Sequence, residues 1–198
     1  MRALPFWMVT LRVLLGPGLI LLALNHRRGL WVVIPIAVAL ISDIYDGRIA
    51  RHYGVATAGL RRYDSVADTT FYVCVAVSAW ILERAALVGV AKLLITIAIL
   101  EVFRYIFDLL KFRREASYHM WSAKLWGLFL AASASALLGW SIGDLLLTGT
   151  LVIGIISDLE GIAISVVLPQ WAHDVPTIFH AVQLRGNFRR EQTTISTE

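Results

Sequence analysis

The sequence predicts an all-α integral membrane protein with six transmembrane helices, an N-terminal interfacial stretch and a C-terminal juxtamembrane helix. Hydrophobic residues make up 58% of the 198 residues and charged residues only 16%, whereas a soluble domain carries about 25% charged residues. The mean hydropathy is +0.71. The apolar residues fall in about six stretches close to the roughly 20 residues that a membrane helix needs. The composition therefore argues against a soluble enzyme.

The predicted spans leave little chain outside the membrane, so we expect one membrane-embedded domain over residues 1–198. Pro5 and the run Gly16-Pro17-Gly18 predict an interfacial stretch that kinks into the first span. A signal peptide is the alternative for this segment, but a small-residue cleavage site is lacking and five more spans follow. The predicted spans are residues 5–24, 29–46, 64–82, 87–110, 121–140 and 145–168.

The sequence predicts an interfacial helix that ends in a flexible tail over residues 173–198. Asp174 is placed to cap this helix and Pro176 to lie in its first turn. Its apolar stripe would consist of Ile178, Phe179 and Val182.

The basic residues predict the orientation of the chain. Thirteen Lys and Arg residues fall on one side of the predicted spans and three on the other. By the positive-inside rule, both termini face the cytoplasm, and the cell (inner) membrane is the expected location. The net charge is +4, but the basic residues are scattered between apolar runs. We therefore expect contacts with membrane lipids and none with nucleic acid.

Four of the fourteen carboxylates fall within 26 residues, beside or inside apolar stretches. Asp43 and Asp46 are spaced i, i+3, and Asp64 and Asp68 are spaced i, i+4, so each pair shares one face of a helix. A charge at membrane depth costs at least ~2.5 kcal/mol on insertion scales, so the cluster needs cationic partners. Two facing pairs would form an oxygen-rich pocket of the kind that holds Mg²⁺ or Mn²⁺.

The chain around these aspartates has a recognisable pattern. The segment from Asp43 to Arg51 reads D-I-Y-D-G-R-I-A-R, and Gly59, Asp64 and Asp68 follow. This pattern resembles the signature of the CDP-alcohol phosphotransferase family, D-x-x-D-G-x-x-A-R and then G-x-x-x-D-x-x-x-D. The first nine positions match without a gap, and the interval to Asp64 is the usual one. Gly59 stands one position earlier than the commonest pattern places it, so the linker departs from the family while the aspartate register does not.

The resemblance implies a metal-dependent transfer reaction. Asp43, Asp46 and Asp64 would hold two divalent cations, Mg²⁺ or Mn²⁺. Asp68 would also lie near the metals and act as general base. The donor would be a CDP-linked lipid, with CDP-diacylglycerol expected, and the hydroxyl of a small polar acceptor would attack its β-phosphorus and release CMP. A homodimer is implied by the resemblance alone.

Four motif positions are expected to bind the CDP-alcohol. Asp43 would do so together with its metal. Gly47 and Ala50 carry little side chain, so the nucleotide could approach the helix closely. Arg51 is expected to pair with a motif carboxylate or with the diphosphate.

Three cations outside the motif are candidates for binding the phosphate of an acceptor such as glycerol 3-phosphate or inositol phosphate: Arg104, Lys111 and Lys124. Glu101, Arg104 and Asp108 share one helical face, so an internal ion-pair network is the alternative for Arg104. Lys111 lies in a juxtamembrane basic cluster, which is most often a positive-inside anchor or a contact with anionic lipids. Lys124 lies in a stretch that is similar to the family's segment entering the fifth helix.

Five further residues carry weaker signals. Arg12 is interpreted either as snorkelling to the headgroups or as reaching the rim of the site. Asp158 and Glu160 are two residues apart and point to different faces, so each is expected to be ion-paired or protonated. His119 is a weaker phosphate-binding candidate. Cys74 is expected to be a small core or lipid-facing residue.

A small cation or proton transporter, or a non-catalytic membrane scaffold, is the alternative function. Intramembrane aspartates can line an ion pathway. Such a pathway would continue through several helices to the far side, whereas the four aspartates cluster near the predicted cytoplasmic face. The sequence therefore favours the transfer reaction.

Overall fold

The described part of the chain is helical throughout its regular structure, which confirms the predicted all-α class. The computed structural model describes residues 3–55, 57–114, 118 and 120–195, except for the side chains at positions 58, 61 and 188–195. The helices are α1 (Leu4–Leu24), α2 (Leu30–His52), α3 (Ala58–Leu82), α4 (Arg84–Gly89), α5 (Ala91–Phe112), α6 (Trp121–Trp140), α7 (Asp144–Val167) and α8 (Ile178–Ile195).

Five segments in this part of the chain are long and apolar enough to cross a membrane, one fewer than predicted. They are α1, α2, Arg62–Leu82 of α3, α6 and α7. The difference lies in α5, which has 22 residues but carries five charged side chains along its length. The predicted span 87–110 is also divided, because α4 ends at Gly89 and α5 begins at Ala91.

The predicted spans 29–46 and 64–82 are shorter than the helices α2 and α3, because α2 continues beyond Asp46 to His52 and α3 begins before Asp64, at Ala58. The α2 helix ends in a Schellman motif, in which Val55 N–H donates to Ala50 C=O and Gly54 N–H to Arg51 C=O. Gly54 has φ 64°, which glycine adopts without strain. Thr57 then caps α3 by accepting from the N–H of Leu60 at 3.2 Å. Asp64 therefore lies within α3 and does not cap it.

The chain divides into two compact units, and the prediction of one domain stays a prediction. The first unit contains residues 1–89 and 130–147. Its apolar core is formed by Leu19, Val32, Ile36, Ala39, Phe71, Val75, Ala79, Ala131 and Leu138. The α1 helix continues through Pro17 and buries one stripe. This stripe consists of Pro5, Val9, Arg12, Gly16, Leu19 and Ala23.

Small residues bring helices of the first unit close together. A Cβ at Gly16 would lie 3.0 Å from Sγ of Cys74, and Cys74 is buried as a small core residue. The N–H of Gly29 donates to the C=O of Gly139 at 2.7 Å. A Cβ at Gly139 would lie 3.0 Å from Val33. Small residues therefore allow close helix packing at these two positions.

The second unit contains residues 90–129 and 148–198. Its core is formed by Tyr118, Met120, Ile164, Leu168, Val175 and Ala181. The predicted tail helix is present as α8, but its start differs. Asp174 has φ 55° and lies four residues before the helix begins. The N–H of His180 instead donates to the C=O of Thr177 in the first turn. The predicted cap at Asp174 is therefore wrong.

We predict that Gly154→Ala destabilises the second unit by about 2 kcal/mol, because overpacking a rigid neighbour forces a shift of side chain or backbone. A Cβ at position 154 would lie 2.7 Å from Nε1 of Trp126 and 2.8 Å from Cε2. Thermal unfolding of the detergent-solubilised protein measures the loss. Gly149→Ala is the control on the same helix, since a Cβ there meets nothing within 4 Å. An equal melting temperature for both variants would contradict the close contact.

Candidate metal and phosphate site

The four motif aspartates lie on two helices of the first unit. Asp43 and Asp46 belong to α2, and Asp64 and Asp68 belong to α3. On both helices the same stripe continues into the apolar core, through Ile36 and Ala39 of α2 and through Phe71 and Val75 of α3. Helical spacing thus places each pair of carboxylates at the end of a buried apolar face.

A guanidinium from α1 contacts all four aspartates. Nη1 of Arg12 donates to Asp43 at 2.7 Å and also to Asp68. Nη2 donates to Asp64 at 2.6 Å and also to Asp46. The Arg12 side chain is 2% exposed, so the snorkelling interpretation is wrong. Arg12 belongs to the interior of the site and not to its rim.

The four carboxylates differ in exposure. Asp46 lies deepest, with a side chain 5% exposed, and Asp43 lies at the mouth, 44% exposed. Asp64 and Asp68 lie between these extremes, each 34% exposed. The cluster therefore opens to solvent on the side of Asp43, while Arg12 and Asp46 form its floor.

The donor set fits divalent cations. Carboxylate oxygens of Asp43, Asp64 and Asp68 all lie within 4.8 Å of one another, and hard cations such as Mg²⁺ and Mn²⁺ prefer oxygen ligands. Asp46 is not part of this group of three. Arg12 takes a single oxygen from each aspartate. Four carboxylates against one guanidinium leave three formal negative charges in the cluster, which further cations can neutralise.

A narrow pocket with an open mouth adjoins the cluster within the first unit. Arg12, Asp43 and Asp68 line its polar part, and Tyr72 lines it as well. The other lining residues are apolar: Ile36, Ala39, Leu40, Phe71, Val75, Leu130, Ala131 and Ala134. Such a pocket joins a charged end to an apolar interior, which suits an amphipathic ligand.

The remaining motif positions lie on the last turns of α2. Ala50 is buried at 4% exposure, whereas Gly47 is half-buried. Nη1 of Arg51 lies 3.5 Å from the position that a Cβ of Gly47 would take. Among the described ion pairs, the four aspartates are joined to Arg12 and none to Arg51. The expected pairing of Arg51 with a motif carboxylate is therefore not formed, and its pairing with a diphosphate stays a prediction.

Arg104 lies in an ion-pair network of the second unit. It contacts Glu101 at 2.9 Å and Asp158 at 3.0 Å, and Asp158 is 1% exposed. A Cβ at Gly161 would lie 3.1 Å from the Arg104 side chain, so glycine leaves room for the guanidinium. This arrangement agrees with two expectations: Arg104 lies in an internal ion-pair network, and Asp158 is ion-paired. Asp108 is equally buried.

The two candidate lysines have different surroundings. Nζ of Lys111 donates to the C=O of Ser165 at 2.8 Å and of Val166 at 3.1 Å, so it caps the C-terminal end of α7. Lys124 is exposed, and its Nζ lies 4.7 Å from the ring centroid of Trp121. Both lysines are exposed, so the contacts of Lys111 with backbone carbonyls are what distinguish it from Lys124.

Other polar groups of the second unit are held by neighbours. Glu160 accepts from Oγ of Ser122 at 2.5 Å. The hydroxyls of Tyr118 and Ser165 lie 2.8 Å apart. Burial raises the pKa of the Tyr118 phenol above its usual value, so it stays a neutral hydrogen-bonding group. His119, the weaker phosphate-binding candidate, lies outside the described residues.

We predict that Arg104→Gln lowers the stability of the protein by about 3 kcal/mol, since removing one partner leaves the Asp158 carboxylate buried without its counter-charge. Lys124→Gln is the control, because its ammonium is exposed and its loss leaves no buried charge. Melting temperatures of the two variants in the same detergent measure the difference. Unchanged stability of Arg104→Gln would argue for a guanidinium kept for a ligand and not for the network.

Comparison with known proteins agrees with this geometry. A family model for CDP-alcohol phosphatidyltransferase matches residues 2–172, which is most of the 198-residue chain and contains Arg12 and all four aspartates. No curated protein and no solved structure matches the chain. The extent of the match confirms the resemblance of the motif, and the chain belongs to the CDP-alcohol phosphatidyltransferase family.

Proposed function

We propose that this membrane protein transfers a phosphatidyl group from CDP-diacylglycerol to the hydroxyl of a phosphorylated acceptor and releases CMP, as a step of phospholipid biosynthesis. The family supports phosphatidyl transfer from a CDP-alcohol. The observation that carries the finer proposal is the convergence of the four motif aspartates on one cluster beside an apolar pocket. That arrangement suits a donor with a charged diphosphate and apolar chains.

Asp43, Asp64 and Asp68 would hold the divalent cations, with Asp46 completing the set as the sequence resemblance implies. Carboxylate oxygens of Asp43, Asp64 and Asp68 lie within 4.8 Å of one another. When bound, Mg²⁺ or Mn²⁺ would polarise the diphosphate and stabilise the negative charge of the leaving CMP. The open side of the cluster at Asp43, 44% exposed, is where we place the entry of the nucleotide.

Asp68 is the proposed general base. It is bonded to Arg12 through one oxygen only, and its side chain is 34% exposed, so an acceptor hydroxyl can reach the carboxylate. The base takes the hydroxyl proton as the acceptor oxygen forms its bond to the β-phosphorus, while the bond from that phosphorus to the oxygen of CMP breaks. Gly47, Ala50 and Arg51 are the proposed contacts of the CDP group.

The apolar lining of the pocket supports a lipid donor. Ile36, Leu40, Phe71 and Val75 line the pocket beside Asp43 and Asp68. A diacylglycerol chain that extends from a diphosphate at the aspartates would find hydrocarbon contacts there, whereas a short water-soluble alcohol would leave them unused.

A phosphorylated acceptor, glycerol 3-phosphate or inositol phosphate, is proposed on the strength of the cations outside the motif. Lys124 is the strongest of them because its described contact is with the ring of Trp121 and not with a carbonyl or carboxylate oxygen. Arg104 and Lys111 are weaker, since both are held by contacts within the second unit.

Orientation and assembly complete the proposal. Both termini and the active site would face the cytoplasm, because the basic residues follow the positive-inside rule. This placement requires α5 to cross the membrane in addition to the five candidate spans. A homodimer is carried over from the family resemblance. Accessibility labelling in intact cells tests the orientation. A molecular mass corrected for bound detergent tests the homodimer, and a monomeric mass would contradict it.

We predict that purified protein with Mn²⁺ and CDP-diacylglycerol releases CMP when glycerol 3-phosphate or inositol phosphate is added, but not when serine is added. A chelator should stop the reaction. Asp68→Asn should lower the rate by about 10² to 10⁴-fold, since it removes the general base. Quantified CMP measures all three effects.

The control for this experiment is Asp174→Asn, which changes a carboxylate outside the cluster. A folded Asp68→Asn variant with the wild-type rate would refute the base assignment. Failure to release CMP with every acceptor would refute the proposed function.

We predict that Ala134→Leu raises the KM for CDP-diacylglycerol by about tenfold, because the larger side chain fills part of the pocket that the donor chain would use. Ala134 lines this pocket. Ala132→Leu is the matched control on the same helix, since Ala132 is exposed and does not line the pocket. Steady-state kinetics with a long-chain donor measures the effect. Equal KM values for both variants would place the donor chain elsewhere.

A further inference from the structure

Arg12 is placed so that each of its terminal nitrogens joins the two aspartate-bearing helices. Nη1 contacts Asp43 of α2 and Asp68 of α3. Nη2 contacts Asp46 of α2 and Asp64 of α3. A single side chain of α1 therefore links both helices at the level of the motif.

The number of donors matches the number of acceptors. The two terminal nitrogens of a guanidinium carry four N–H groups, and each aspartate accepts one hydrogen bond from them through one oxygen. The Nε–H has no hydrogen-bond partner among the described residues. Each carboxylate retains a second oxygen that Arg12 does not engage, so the guanidinium and further cations can share the same four aspartates.

We propose that Arg12 is the built-in counter-cation of the metal site: it holds the four carboxylates together and balances part of their charge in competition with the divalent cations. This inference rests on the proposed function, because it assumes that the cluster binds metal. It assigns to Arg12, which lies outside the aspartate motif, a positioning role toward the cations and no contact with the reacting atoms.

The physical reason is the repulsion between the carboxylates. Three of them place oxygens within 4.8 Å of one another, and at such distances like charges repel strongly in a partly buried site. Arg12, 2% exposed, lies where its charge is little screened by solvent. Without it, the same carboxylates would destabilise the folded protein more, and a divalent cation would relieve more repulsion on binding.

The test measures thermal unfolding of the full-length protein in detergent, once with a chelator and once with Mn²⁺, and without any CDP donor. Arg12→Gln should lower the melting temperature in chelator by about 10 °C. Mn²⁺ should then raise the melting temperature of Arg12→Gln by about twice as many degrees as it raises that of the wild type. A merely structural arginine would lower the melting temperature by the same amount in both conditions.

Arg28→Gln is the matched control in the same unit. Arg28 contacts Glu83 and Ser141 and donates to the C=O of Leu82 at 3.1 Å, and none of these belongs to the aspartate cluster. Its loss should lower the melting temperature in chelator while leaving the gain with Mn²⁺ at the wild-type value.

Arg12→Lys keeps the inference falsifiable if Arg12→Gln does not fold. A lysine retains the charge but has three donors on one nitrogen, so it cannot join four carboxylates as the guanidinium does. Its gain with Mn²⁺ should exceed that of the wild type, and a double variant Arg12→Gln with Asp46→Asn should regain stability in chelator because one repelling charge is gone.

Two results would overturn the inference: a gain with Mn²⁺ in Arg12→Gln that equals the wild-type gain, or, where that variant is unfolded, an unchanged gain in Arg12→Lys. These differ from failure of the proposed function. A wild type that Mn²⁺ does not stabilise would refute the metal site itself, whereas absent CMP release with the expected Mn²⁺ pattern would refute only the transfer reaction.

Discussion

The contact of one guanidinium with four carboxylates is the interaction on which the site depends. Arg12 reaches Asp43, Asp46, Asp64 and Asp68 from a helix that carries no motif residue. It can do so because α1 buries a stripe with small residues on it, so that Gly16 lies against Cys74 one turn further along. Close packing of the helices and neutralisation of the aspartates are thus two aspects of one arrangement: the arginine reaches the carboxylates because the helices lie close, and the helices tolerate the carboxylates because the arginine is there.

The register of the aspartates depends on the turn between α2 and α3. Gly54 at φ 64° closes the Schellman motif, and Thr57 caps the next helix two residues after Val55. The last turns of α2 and the first turns of α3 lie on either side of this connection, and both carboxylate pairs contact the same guanidinium. The glycine of the family pattern, here Gly59, lies inside α3. Its displacement by one position therefore leaves the register of Asp64 and Asp68 unchanged, because the helix that carries them already begins at Ala58.

Much of the helical framework could be predicted from hydropathy, because membrane spans are set by length and apolarity; the bounds of α1 and α6 agree with the predicted spans to within one residue. The ends of helices near polar residues could not be predicted from hydropathy, because hydropathy falls at the motif while the helix continues through it. The carboxylate cluster was predictable from the spacing of Asp43, Asp46, Asp64 and Asp68. The role of Arg12 was missed, although its spacing from Val9 and Gly16 on the buried stripe was a signal that its side chain points inward. Pairing between distant segments, such as Arg104 with Asp158, depends on tertiary packing that a single sequence does not reveal.

Charge balance distinguishes the aspartate cluster of the first unit from the Arg104 cluster of the second unit. In the second unit, Arg104 is shared by Glu101 and Asp158, so one cation faces two carboxylates and a single proton suffices to balance them. In the first unit, one cation faces four carboxylates, and three formal negative charges are left over. Every uncompensated charge at the border of an apolar pocket opposes folding. Binding of divalent cations would explain an excess of three negative charges. The cations would relieve the repulsion between the carboxylates, and this relief would contribute to the affinity for metal and phosphate.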